Sequence, residues 1–293
     1  MTIKEIIHHP RVWATLITSD SYLDGVLTLH YSLQKCNSKY PLLALYTSKL
    51  SQTSIHELHA VGIQTILIET LNPIESPNLN FDKRFIDTWS KLYCFKLTSF
   101  KRIVQLDCDM LILQNMDELM DIPLNGNKFA STHACVCNPL KFSHYPKEWN
   151  SNSCVFSDNS IDHNTTHGPS SESGLSKCNS GILIVEPSLD LFDQIFSKLQ
   201  DPIATSNYLF PDQDLLADVF YQNWLPLSYI YNCLKTFKFQ HPHLWDINRI
   251  KNIHYILAPK PWNVDRSYND NSNTFQLWWD LNDERIKSQN SIS

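Results

Sequence analysis

Short apolar runs and helically spaced apolar stripes alternate along the first half of the chain. Val12–Thr18, Pro41–Thr47 and Gln64–Thr70 are almost continuously apolar, the pattern of strands buried on both faces. Between them, Tyr22–Lys35 and Ser51–Ala60 read as helices; Asp20 and Ser21 are candidate caps for the first, and Gly62 closes the second. A polar loop with Pro73 and Pro77 leads to Phe85, Trp89, Leu92, Tyr93 and Lys96, whose spacing predicts a further helix. The stretch "RIVQLDCDMLIL" (Arg102–Leu113) is a fourth strand, "NSGILIVEPS" (Asn179–Ser188) a later one, and helices follow at Leu189–Leu199 and Gln213–Tyr221. This alternation predicts an α/β fold: a mostly parallel central sheet flanked by helices, in a single Rossmann-like domain over residues 1–293. Residues 138–178, rich in Ser, Asn and His, read as an irregular and partly mobile excursion from it.

The centre of "RIVQLDCDMLIL" is unusual for a buried strand. Side chains alternate across a strand, so Asp107 and Asp109 would share one face while Cys108 is a small spacer on the other. Two carboxylates side by side in a partly buried place repel and lose hydration, so a compensating divalent cation is the first candidate. In parallel sheets ligands bind beyond the carboxyl ends of the strands, which is where these acids lie.

Composition narrows the partners. The chain has 293 residues, is 42% hydrophobic and carries a net charge of −6 with no block of Lys or Arg, so neither nucleic acid nor an anionic membrane is an expected partner. No apolar stretch approaches the ~20 residues of a membrane span. The N-terminal "MTIKEIIHHP" lacks a signal-peptide core and passes straight into the first strand, so a cytoplasmic chain with mostly reduced cysteines is expected. The sequon Asn164-Thr165-Thr166 would then be silent. Cys135, Cys137, Cys154 and Cys178 surround the excursion. A structural zinc is one reading of them and ordinary buried or free thiols the other, Cys-x-Cys not being the usual zinc spacing.

Five pieces in order, "TLITSDSYLDGVLTLHYSL" (Thr15–Leu33), "SKLYCFKLTSFKRIVQLDCDMLILQNMDEL" (Ser90–Leu119), "NSGILIVEPS", "PDQDLLADVF" (Pro211–Phe220) and "HYILAPKPWN" (His254–Asn263), resemble glycosyltransferase family 8, the glycogenin and galactinol-synthase group. The resemblance implies a GT-A fold, a UDP-sugar donor, Mn²⁺ (or Mg²⁺), transfer with retention at the anomeric carbon, and a homodimer. It implies His254 as third metal ligand beside Asp107 and Asp109, and Lys260 on the donor diphosphate. Leu16, Thr18, Asp20 and Tyr22 would receive uracil and ribose, and Lys91 would also touch the donor, with Cys108 inside the same donor-binding stretch. Asn179, Ser180 and Gly181, read locally as a turn before a strand, would lie at the sugar hydroxyls; Asp212 and Gln213 would lie beside the anomeric carbon and the acceptor. Chemistry agrees: a departing diphosphate develops charge that a divalent cation and a positioned lysine stabilise, and hard oxygens plus one imidazole suit Mn²⁺ or Mg²⁺. Retention requires either a covalent intermediate, for which Asp212 is the candidate carboxylate, or front-face attack in which the departing phosphate takes the acceptor proton.

Three departures, one of them in the turn near the diphosphate, bear on the acceptor more than on the donor. Phe239 stands where glycogenin carries its self-glucosylated tyrosine, Leu257 replaces a glycine after the His254 motif, and Asp214 replaces a glycine near the expected anomeric centre. The excursion is longer than in glycogenin, in the manner of fungal-type members. The expected activity is hexose transfer to a hydroxyl of a polyol, small glycoside or glycan. A catalytically silent sugar-nucleotide-binding protein is the competing reading, and a nucleotidyltransferase would need a Gly-rich phosphate loop that the chain's six glycines do not form.

Overall fold

A computed structural model of the chain describes residues 9–75, 83–163 and 165–290. The N-terminal stretch before His9, the loop around Pro77, Asn164 of the sequon and the side chain of Phe85 lie outside the described residues. In chain order the elements are β1 (Arg11–Ile17), α1 (Leu23–Lys35), β2 (Leu42–Tyr46), α2 (Gln52–Ala60), β3 (Gln64–Leu67), β4 (Arg102–Leu106), β5 (Met110–Ile112), β6 (Ala130–His133), β7 (Cys178–Val185), α3 (Leu189–Leu199), α4 (Pro202–Thr205), α5 (Pro211–Val219), β8 (Leu225–Leu227), β9 (Cys233–Leu234), α6 (Phe237–Gln240), β10 (Asn252–His254) and α7 (Thr274–Asn290).

Seven strands form the main sheet in the order β3-β2-β1-β4-β7-β6-β8, and β5-β10-β9 form a second, small sheet. Strands β3, β2, β1 and β4 are parallel, β7 is antiparallel to both β4 and β6, and β8 runs parallel to β6. Both faces of the main sheet are covered, which is why its strands are apolar without alternation. Val12 and Ala14 of β1 pack into one core with Trp89, Leu92, Phe95 and α3, whereas Trp13 and Ile17 pack into the opposite core with α1 and α2. A third core joins the excursion to the small sheet and α7 through Trp149, Val155, Phe156, Phe237, Tyr255 and Trp278.

Four expectations change. Lys83–Lys96 winds as 3₁₀ turns rather than an α-helix. Three residues per turn bring Trp89, Leu92 and Phe95 onto one buried face, a period the i, i+3 spacing allows equally well. The run Arg102–Leu113 is not one strand: β4 ends at Leu106, Asp107-Cys108-Asp109 forms a turn, and β5 enters the other sheet. Residues Asn179, Ser180 and Gly181 lie inside β7, not before it. The excursion is irregular but anchored, with Trp149, Cys154, Val155 and Phe156 buried. Among the described residues no helix is long and apolar enough to cross a membrane.

Candidate active site

Topology brings the acids to their partners. Because β7 runs antiparallel to β4, its first residues lie beside the last of β4, and the Asp107 amide donates to the Gly181 carbonyl at 2.9 Å. Because β10 pairs antiparallel with β5, His254 falls opposite Met110, and the Tyr255 amide donates to the Asp109 carbonyl at 2.8 Å. The turn between β4 and β5 therefore sits where three distant segments meet, at the mouth of a cleft of about 380 Å³.

Leu16, Thr18, Tyr22, Lys91, Asp107, Cys108, Asp109, Asn179, Ser180, Gly181, Asp212, Gln213, His254 and Lys260 all line this cleft. Asp20 does not: its carboxylate accepts from the Ser51 amide at 3.1 Å and from the Ser51 and Ser54 hydroxyls, holding the start of α2 instead of capping α1. Those hydrogen bonds hold its pKa below the usual carboxylate value. Asp214 is likewise turned away, accepting from the Leu209 and Phe210 amides at 3.0 and 2.9 Å and pairing with Lys177 at 3.2 Å. Leu257 takes φ +65°, the left-handed conformation a glycine there would adopt freely, so the turn is kept at a steric cost. Phe239 is half-exposed on α6.

The charges interlock. Lys91 Nζ lies 2.7 Å from Asp107 and 3.0 Å from Asp212, and Lys260 Nζ pairs with Asp109 and donates to the Tyr255 carbonyl at 2.7 Å. Burial opposes the charge on Lys91, but its two carboxylates outweigh that and raise its pKa. Burial also pushes both acids up. At Asp109, Lys260 and His254 overcome it and hold the carboxyl well below its usual range; at Asp107 burial prevails over Lys91 and His254, and the pKa is raised. Three carboxylates thus face two ammonium groups in one buried place.

His254 Nε2 faces Asp109 at 3.2 Å and Asp107 at 3.7 Å, and the three ligand atoms lie within 4.8 Å of one another. Its Nδ1 is 2.8 Å from Asn232 Oδ1. The Asn232 amide nitrogen already donates to Thr132 Oγ1 and Asn179 Oδ1, at 2.9 and 2.8 Å, so Oδ1 accepts and Nδ1 carries the proton. With Nδ1 engaged by Asn232, Nε2 is the nitrogen aimed at the carboxylates, as a metal ligand requires. The donor set of two carboxylates and one oriented imidazole fits a divalent cation. Gly181 leaves the room: a Cβ there would stand 2.5 Å from His254 Cε1 and 2.9 Å from Asn179 Oδ1.

Ser180 donates to Asp212 Oδ2 at 2.5 Å, and Lys91 meets the same oxygen. Beside it, Gln213 Nε2 is buried and has no hydrogen-bond partner among the described residues. At the far end, Trp262 donates to the Ser21 carbonyl at 2.8 Å and meets the Tyr22 ring edge-on at 5.6 Å. A Cβ on Gly25 would clash with the Trp262 ring and the Cys108 carbonyl, so this glycine lets α1 approach the acidic turn.

Asn232, Gly25 and Trp262 escaped sequence reasoning. Asn232 lies in "YIYNCLKTFKF", where nothing local marks it; only the pairing of β9 with β10 brings it to His254. Substituting Asn232 by alanine is expected to weaken Mn²⁺ binding ~10–100-fold while leaving the thermal midpoint of the metal-free protein within a few degrees. Titration calorimetry with Mn²⁺ measures this, and unchanged affinity would remove Asn232 from the site.

Comparison with known proteins agrees with the geometry. The chain is 26% identical over 295 residues to galactinol synthase 2 of Arabidopsis thaliana, covering 96% of this chain and 84% of that one. It is 27% identical over 293 residues to galactinol synthase 3 of the same plant, with the same coverage. Both are plant proteins and lend no support to the fungal-type expectation. The solved galactosyltransferase LgtC, in complex with donor and acceptor sugar analogs, superposes with a TM-score of 0.61 at 13% identity, covering 93% of this chain and 96% of that one. That likeness bears on the fold, which is GT-A. The profile described as "Glycosyl transferase family 8" matches residues 14–266, nearly the whole chain. The chain belongs to glycosyltransferase family 8 and is a glycosyltransferase.

Proposed function

We propose that the protein transfers a hexose from a UDP-sugar to a hydroxyl acceptor with retention, using Mn²⁺ or Mg²⁺ held by Asp107, Asp109 and His254. The observation that carries this reading is the meeting of those three ligands with Lys91, Lys260 and Asp212 at the carboxyl end of β4. The cation, when bound, supplies positive charge to the diphosphate oxygens. Lys260 is stiffly held between Pro259 and Pro261, and its ammonium can pass from Asp109 to the leaving group as negative charge develops there. Leu16, Thr18 and Tyr22 are the lining residues for the nucleoside end, and Asn179, Ser180, Gly181 and Gln213 those for the sugar.

Asp212 is held in place by Lys91 and Ser180. Both bonds land on Oδ2, and Oδ1 accepts from no group among the described residues. This favours Asp212 as the carboxylate that faces positive charge developing at the anomeric carbon, either as nucleophile or as electrostatic partner in a front-face path. The acceptor is a polyol, small glycoside or glycan. Polyols come first in the test because the plant relatives bear the name galactinol synthase.

The test is UDP release from a panel of UDP-hexoses, with and without each acceptor class, in Mn²⁺ or EDTA. Metal-dependent release with at least one donor is expected. Donor binding without release would favour the silent binding protein, and neither binding nor release would end the UDP-sugar reading.

A further inference from the structure

A second cluster of metal-ligating side chains lies apart from the carboxylate site. Cys135 and Cys137 follow β6, Cys154 separates two 3₁₀ turns of the excursion, and His241 ends α6. Their ligand atoms lie within 4.8 Å of one another. Cys178, the fourth thiol suggested by the sequence, is buried inside β7 and is not among them; an imidazole 63 residues further along the chain takes its place.

The distances have the pattern of a coordination sphere. His241 Nε2 faces three sulfurs at once, at 3.3 Å from Cys135, 3.5 Å from Cys137 and 3.8 Å from Cys154, and the Cys135 and Cys154 sulfurs are 3.9 Å apart. A tetrahedral zinc with Zn–S of about 2.3 Å and Zn–N of about 2.0–2.1 Å has edges of roughly 3.5–3.6 Å (S···N) and about 3.8 Å (S···S). One imidazole nitrogen has a single hydrogen bond to make, so it cannot serve three thiols at once; beyond it Cys135 has only a long contact to Gln240 Oε1 and Cys137 one to Ser157 Oγ, both at 3.7 Å. No pair is joined as a disulfide. His241 is 1% exposed and held by the Phe237 and Phe156 rings at 4.8 and 5.8 Å, which leaves its Nε2 no other direction.

We propose that Cys135, Cys137, Cys154 and His241 form a closed, structural zinc site. Binding displaces the thiol protons to solvent, leaving three thiolates and one neutral imidazole on Zn²⁺, with no open position for chemistry. The ion staples the excursion to the end of β6 and to α6. Cys135 and Gln240 line the main cleft, and so do Phe142, Tyr145 and Trp149 of the excursion. The zinc therefore shapes one wall of the cleft without touching the carboxylate site.

The experiment measures metal content by mass spectrometry on protein purified without chelator from zinc-supplemented cells. About one zinc per chain is expected in the native protein, in Cys178→Ala and in Asp109→Asn, falling below ~0.2 in Cys154→Ser and His241→Ala. Cobalt exchanged into the native protein is expected to give tetrahedral ligand-field bands with sulfur-to-cobalt charge transfer, a readout that does not depend on any variant folding. Less than ~0.2 zinc per native chain, cobalt spectra without the sulfur bands, zinc lost in Asp109→Asn, or a Cys135–Cys154 disulfide found on non-reducing alkylation would each overturn the site.

Discussion

Replacing Asp109 with asparagine is expected to lower kcat/KM for UDP-hexose turnover by at least ~10³-fold, about 4 kcal/mol of transition-state stabilisation. Two losses combine. The amide has no charge to hold a divalent cation, and Lys260 loses the carboxylate that stores it next to the diphosphate position. Lys260 is buried, and its second partner, the Tyr255 carbonyl, remains, as does the amide oxygen in the place of the carboxylate. The fold should therefore survive with a stability loss of about 1–3 kcal/mol, as for a buried group left partly unpaired. Metal-dependent UDP release and a thermal melt on one preparation separate the two effects. Activity within tenfold of the native protein would show that the acidic turn does not hold the working metal.

Lys91→Met is expected to give the largest structural loss. The Lys91 ammonium lies between Asp107 and Asp212, and methionine keeps most of the volume but leaves the buried Asp212 and the part-buried Asp107 facing each other without a cation. Breaking a buried ion pair by removing one partner costs about 3–5 kcal/mol, which at a few degrees per kcal/mol is a fall of roughly 10 °C in Tm. The lysine's folded pKa is raised, so its stabilising contribution is fully present below the unfolded value of about 10.4 and is lost only as pH rises through the still higher folded value. The stability difference between native and variant should accordingly be flat from pH 6 to 9, within ~1 kcal/mol. Adding Asp212→Asn to Lys91→Met should recover part of the Tm without restoring turnover. Calorimetry across that pH range tests both statements, and a Tm change below ~2 °C would show that solvent, not Lys91, compensates the acids.

The sequence by itself determined the layered fold and named most of the residues that line the candidate cleft. Continuous apolar runs need cover on both faces, and helically spaced stripes supply it, so the parallel half of the sheet follows from local pattern. The acids of Asp107 and Asp109 are conspicuous because carboxylates interrupting such a run require a compensating charge. His254, Lys260, Asn179 and Asp212 were reached through motif resemblance, since no local rule separates a ligand histidine from a core one. Tertiary structure decided how these residues meet. The acids are convergent because the chain turns out of one sheet into another at Cys108, not because strand side chains alternate. Asn232 fixes the orientation of the His254 ring, and His241 rather than Cys178 completes the cysteine cluster, because strand pairing and core packing return distant segments to one point. Spacing along the chain carries periodicities of two to four residues; contacts across 22 or 106 residues depend on which edges and faces pair, and that is set by the whole core at once.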